Sequence, residues 1–236
     1  MRVLVTRPLD DARETAAKLA TLGHEAIVAP LFEVRFRDGS ELSTENVQAV
    51  LITSANGIRS LAGRTKRRDI PVLAVGTHSA SLARGLGFTS VESTDGDANA
   101  LSALVAGKLS PKSGVLLHAG GAHTANDFVD LERCGFSVRR EFLYEAASSK
   151  IAPAILVDAL RGGTPDAVLF FSPRGARVFS ERVGAAGLND KCKSIIAICI
   201  SRPAAAALAA NVFRQIRIAA RPDQQSMLAL LGESLD

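Results

Sequence analysis

The sequence predicts an α/β protein built from two parallel sheets, and three observations carry that prediction. Short β-branched runs such as "RVLVT" and "AVLITS" alternate with stretches of helical period along the chain. About ten such runs crowd a single twisted sheet and suit two sheets of five. One strand-end also occurs twice: "AVLITSANGIRSL" and "AVLFFSPRGARVF" place Ser54, Gly57 and Arg59 on Ser172, Gly175 and Arg177 at one constant offset.

The elements follow in order. "RVLVT" is the apolar run of a strand covered on both faces, and Pro8 stops it. Asp10 or Asp11 can cap the helix that follows, with Ala12, Ala16, Leu19 and Leu22 on one face and Gly23 closing it. "EAIVAP" completes a βαβ opening. Further strands are expected at "AVLITS", "PVLAVG", "TSVES", "GVLLHAG", "AVLFFS", "IIAICI" and "IRIAA". Helical stretches such as "SASLARGLG", "ANALSALVAGKL" and "TANDFVDLERCG" separate them. Two segments break the rhythm. "LFEVRFRDGS" (31–40) and "FSVRREFLYEAA" (136–147) alternate apolar and polar residues, which predicts exposed antiparallel strands. They flank the middle of the chain. The economical layout is a discontinuous first domain, 1–34 with 147–236, a second domain inserted over 38–142, and these two strands as a paired connector.

Composition narrows the function classes. The 236 residues are 47% apolar and 22% charged, an ordinary globular profile that argues against disorder. The net charge of +4 favours anionic ligands without naming one. Aromatics are only 5%, and the densest basic run, "RTKRR" (64–68), holds none, so it reads as a solvated loop or helix end rather than a nucleic-acid footprint. Three cysteines (Cys134, Cys192, Cys199) with no CxxC argue against disulfides or structural zinc. "MRVLVTRP" breaks its apolar run too early for a signal peptide, and "IIAICISRPAAAALAANVF" is interrupted by Arg202 and Pro203, so no membrane span is expected. A cytoplasmic monomer is the expectation.

The repeated strand-ends are the candidate site. Ligands of doubly wound sheets bind beyond the carboxyl ends of strands. Ser54 and Ser172 each open a helix there, as plain N-caps or as walls of an anion site. "AVGTHSASL" puts Gly76, Thr77, His78 and Ser79 at another strand-end, and "AICISRPAAAAL" puts Ser201, Arg202 and Pro203 at its counterpart. "VTRP" adds Thr6 and Arg7. "HAGGAH" (118–123) is a nest for an anion or a plain loop. Tyr144, the single tyrosine, lies on the proposed connector as a packing residue or a proton donor. There is no GxGxxG, no GxxxxGK[ST] and no GxSxG. His24, His78, His118 and His123 lack metal-ligand spacing, so no metal site is expected. Scarce aromatics at the strand ends also speak against a flavin.

"VLVTRP", "VLITSANGI", "VLAVGTHSA", "GFSVRREFLYEA" and "VLFFSPRGA", in this order over nearly the whole chain, resemble the uroporphyrinogen-III synthase family. The resemblance implies two flavodoxin-like domains joined by a two-stranded ladder, with the site in the cleft and no cofactor. It implies cyclisation of hydroxymethylbilane, a polycarboxylate, with inversion of the last ring. Loss of the hydroxyl as water gives an azafulvenium cation, and attack by the far pyrrole forms a spiro intermediate. Orienting the flexible chain is then the main task. By motif, Tyr144 helps the hydroxyl leave, while Thr6, Arg7, Ser54, Asn56, Gly76, Ser79 and Ser172 hold carboxylates. Thr77, His78, Arg174 and Ser201 join them by position. Two departures stand out: the second G-x-x-[ST] turn reads Ser201 and Ala204, and Ala122 stands where a basic residue is common. Arg202 and Arg174 are left as the basic candidates there. The rival reading is a non-catalytic binding protein that closes on an anionic small molecule.

Overall fold

The computed structural model describes residues 1–122, 128–148, 150–163, 165–208 and 213–232. The first half runs β1 (Arg2–Val5), α1 (Leu9–Thr21), β2 (Glu25–Val28), β3 (Phe32–Phe36), β4 (Val47–Ile52), α2 (Ala55–Arg64), β5 (Val72–Val75), α3 (Thr77–Gly85), β6 (Val91–Thr94), α4 (Ala98–Lys108) and β7 (Val115–Gly121). The second half runs α5 (Val129–Arg133), β8 (Ser137–Ser148), α6 (Ala154–Arg161), β9 (Ala167–Phe170), α7 (Pro173–Ala185), a 3-10 helix (Asn189–Ser194), β10 (Ile196–Cys199), α8 (Arg202–Ala206), β11 (Gln215–Ile218) and α9 (Gln224–Ala229). The chain divides into two compact units, Met1–Glu33 with Ala147–Asp236 and Val34–Ala146. It passes from one to the other inside β3 and again inside β8.

The first unit is a five-stranded parallel sheet in the order β11-β10-β9-β1-β2. Alternate strand residues feed two separate cores, as the two-residue side-chain period requires. Val3, Val5, Leu169 and Ile198 pack under Ala12 and Leu19 of α1 and Met227 and Leu228 of α9. Leu4, Val168, Phe170 and Ala197 pack under Leu156 and Leu160 of α6 and Phe179 and Val183 of α7. Burial on both faces is why β1, β9 and β10 read as unbroken apolar runs. Counted within the unit, the strand order is 2-1-3-4-5, the flavodoxin-like arrangement.

The second unit is a six-stranded sheet, β3-β8-β7-β4-β5-β6. Val50, Ile52 and Leu117 meet Ile58 and Leu61 of α2 and Ala80 and Ala83 of α3 on one face. Ala49, Leu51 and Leu116 meet Leu101 and Val105 of α4 on the other. Its parallel strands, β4 to β8, follow the order 3-2-1-4-5, so the two units share the doubly wound plan but not the strand order.

The structure corrects several expectations. The two alternating segments pair as expected, β3 bonding β8, but β8 is not an exposed connector strand only: on its other side it runs parallel to β7 from Ser137 to Tyr144. Its polar residues face neighbours of their own unit, Arg139 bonding the Ser43 carbonyl and Arg140 the Glu132 carboxylate, so alternation did not mean solvent. Pro8, not Asp10 or Asp11, stands at the N-cap of α1, because the helix starts at Leu9; both aspartates fall in the first turn, where they favour the dipole. Leu22 lies beyond α1 and is exposed. "HAGG" is the end of β7 rather than a loop, and His123 lies outside the described residues. The basic run does fall at the end of α2 and in the loop after it, as expected, with Lys66 and Arg67 exposed; Arg64 donates to the Ser40 and Arg37 carbonyls, Arg67 pairs with Asp69, and Arg68 donates to four carbonyls beside the Phe88 ring.

Candidate active site

In an open parallel sheet, ligands sit beyond the carboxyl ends of the strands where the strand order reverses. In the second unit that point lies between β4 and β7. β4 delivers Ser54 there in extended conformation, and its Oγ accepts the Gly57 N–H at 3.1 Å, capping α2. The helix then lies tight on β7: a Cβ on Gly57 would stand 2.5 Å from the Ala119 carbonyl oxygen. The glycine of this S-x-x-G copy is a packing requirement.

Tyr144 reaches the same point from β8. Gly120 pairs with Phe142 and Gly121 with Tyr144, so Leu143 is the additional residue of a bulge. The bulge lets Leu143 and Tyr144 both be buried, at 2% and 7% exposure, which strict alternation does not allow. The Tyr144 ring lies on the Gly121 backbone; a Cβ there would be 2.8 Å from Cζ and 3.1 Å from the hydroxyl oxygen. The phenol oxygen is 2.8 Å from Ser54 Oγ. Two hydroxyls, one aromatic and one aliphatic, therefore meet at the sheet's switch point.

The other predicted residues of this unit surround α2 and α3. Asn56 accepts a hydrogen bond from Arg59 at 2.9 Å, and Arg59 is half-buried rather than a solvent-facing helix residue. Gly76, at φ +76, is the turn from β5 into α3, a conformation that favours glycine. Beyond it Thr77 is exposed, His78 half-buried and Ser79 buried. His118, on β7, is buried against the Phe128 ring; burial and then the Arg140 charge lower its pKa to about 4, so the imidazole is neutral.

In the first unit the order reverses between β1 and β9. Thr6 is buried and its carbonyl accepts the Leu31 N–H. Arg7 spans α1: it donates to Thr15 at 3.2 Å, stands 3.6 Å from Asp11, and covers the Phe171 ring at 4.1 Å. Ser172 caps α7 through the Gly175 N–H at 3.0 Å, and Arg174 lies over the Phe32 ring. Ser201 caps α8 through Ala204. Arg177 is exposed and pairs with Glu181. Pro173 removes a first-turn donor from α7 and Pro203 one from α8, so α2 presents the fullest N-terminus of the three.

Sequence reasoning missed Gly121 and the meeting of Ser54 with Tyr144. The motif "HAGG" held the glycine, but nothing local reveals a bulge opposite it. Among the described residues no group of three or more His, Cys, Asp or Glu can hold a metal ion, and no helix is long and apolar enough to cross a membrane.

Comparison with known proteins adds the family context. Residues 13–229 match the family model described as uroporphyrinogen-III synthase HemD. No curated protein matches the sequence. Among solved structures, the chain is similar to uroporphyrinogen-III synthetase from Helicobacter pylori, with 17% identity, 98% of each chain covered and a TM-score of 0.60. It is also similar to a mutant uroporphyrinogen III synthase from the extremely thermophilic bacterium Thermus thermophilus, with 19% identity, 98% of this chain and 97% of that one covered, and a TM-score of 0.53. At these identities the two structures speak for the fold.

Proposed function

The chain belongs to the uroporphyrinogen-III synthase family, an enzyme family of tetrapyrrole synthesis, and from that membership we propose what its residues do. The reaction is a cyclising dehydration, which makes the enzyme a lyase, and the substrate is hydroxymethylbilane. The C–O bond of the hydroxymethyl group breaks as the Tyr144 phenol gives its proton to the departing oxygen, which leaves as water. The substituted carbon of the far pyrrole attacks the resulting azafulvenium, and the spiro intermediate fragments and recloses with the last ring inverted. The proton released at ring closure returns to the phenolate.

The observation that carries this reading is the 2.8 Å contact between Tyr144 and Ser54 at the switch point of the second unit. Asn56, Gly76, Thr77, His78 and Ser79 in that unit, and Thr6, Arg7, Ser172, Arg174 and Ser201 in the other, bind substrate carboxylates. Arg7 and Arg174 lie over the Phe171 and Phe32 rings, and the guanidinium fork is the side-chain cation whose geometry matches a carboxylate. The enzyme works as a cytoplasmic monomer, which size-exclusion chromatography at assay concentration checks.

The deciding experiment is incubation with freshly made hydroxymethylbilane. The inverted isomer is expected; only the symmetric, spontaneously closed isomer refutes the reading. Tyr144→Phe is expected to lose about a hundredfold or more in kcat while folding normally. Full activity in that variant removes the role given to the hydroxyl.

A further inference from the structure

The contact between Ser54 and Tyr144 has a direction, and the surroundings of Ser54 choose it. A serine hydroxyl has one hydrogen to give and two lone pairs to receive. Ser54 spends one lone pair on the Gly57 N–H at 3.1 Å. Among the described residues, the one acceptor recorded for its own hydrogen is the Tyr144 oxygen at 2.8 Å. The serine cannot drift to another partner, because its backbone is the N-cap of α2 and that helix is seated on β7 through Gly57. The ring cannot drift either, because it lies on Gly121 of the same strand, two residues from Ala119. Ala119, Gly57, Ser54, Tyr144 and Gly121 thus close a ring of contacts that fixes both hydroxyls.

We propose that Ser54 is a positioning residue: it donates its hydroxyl hydrogen to the phenolic oxygen of Tyr144, so that the phenol's own proton is not spent on the serine. The proposal deepens the reading of Tyr144 given above and rests on it for the chemistry, but its geometry is testable without turnover. It also assigns Ser54 a task other than holding a carboxylate.

Tyr144 is the sole tyrosine and the chain has no tryptophan, so near-ultraviolet phenolate absorbance reports this one side chain. A hydrogen bond donated to the phenol oxygen favours the ionised form. Ser54→Ala is therefore expected to raise the midpoint of the phenol titration by about one unit, the equivalent of one hydrogen bond to a charged group. If instead Tyr144 donates to Ser54, the bond favours the neutral form and the same variant lowers the midpoint. An unchanged or lowered midpoint overturns the proposal. Ser54→Thr, which keeps the hydroxyl, is expected to restore the native midpoint. Ser54→Gly removes the hydroxyl but still suits an N-cap, and stands in should Ser54→Ala fail to fold by circular dichroism. In turnover of hydroxymethylbilane, Ser54→Ala is expected to lower kcat about tenfold or more with KM nearly unchanged; a raised KM with native kcat overturns the positioning role. Full activity in Tyr144→Phe, together with the raised phenol midpoint in Ser54→Ala, would instead fault the proton-donor reading and leave the hydrogen-bond direction standing.

Discussion

Replacing Gly121 by Ala perturbs one atom at the point where β7 meets the tyrosine. The added Cβ would lie 2.8 Å from Cζ, 2.9 Å from Cε2 and 3.1 Å from the hydroxyl oxygen of Tyr144. Ordinary carbon–carbon contacts begin near roughly 3.5 Å, so the ring must retreat by roughly 0.5 Å or more. It is buried and its oxygen is only 2.8 Å from Ser54, so retreat either stretches that bond or displaces α2. Overpacking of this kind costs about 1–3 kcal/mol. Urea unfolding followed by circular dichroism reads the loss, and the phenol titration reads the movement of the ring. Gly57→Ala should cost more, since its Cβ would meet a backbone oxygen at 2.5 Å and backbone yields less than a side chain. Native stability with a native phenol titration in Gly121→Ala would refute the claim that this glycine seats the tyrosine.

Two further predictions concern stability. His118 has a folded-state pKa of about 4, below its ordinary 6.5, because burial and Arg140 disfavour the charged imidazole. The unfolded chain therefore binds more protons between these values, so stability is full above pH 6.5 and falls as pH drops toward 4, by about 3 kcal/mol in all. Urea midpoints across that window should fall in the native protein and change less in His118→Gln; equal slopes would refute the assignment. Arg7→Met keeps much of the apolar stem but loses the Thr15 hydrogen bond and the guanidinium over Phe171, so a loss of about 1–2 kcal/mol is expected by thermal unfolding. No change would mean that Arg7 does not brace α1.

Much of the fold was legible because burial on two faces leaves a plain signature. "AVLF" and "IAIC" read as continuous apolar runs, and they are the fully buried strands β9 and β10. The serines before α2 and α7 were legible as N-caps because capping is local, the acceptor and the N–H lying three residues apart. β8 was misread for the opposite reason. Its alternation records ion pairs and carbonyl contacts with distant residues such as Glu132 and Ser43, and local sequence does not separate these from solvent.

The sequence by itself determined the alternation of strand and helix, the capped strand-ends and, through motifs in order, the family. Those properties depend on periodicity and on neighbours within a few residues. Only the tertiary structure decided that Ser54 and Tyr144, 90 positions apart, share a hydrogen bond, and that a bulge opposite Gly121 aims the phenol at the serine. It also decided that Gly57 and Gly121 are required by close approach rather than by backbone angle. Register and the spacing between layers arise from the packing of whole elements, so no short stretch of chain encodes them.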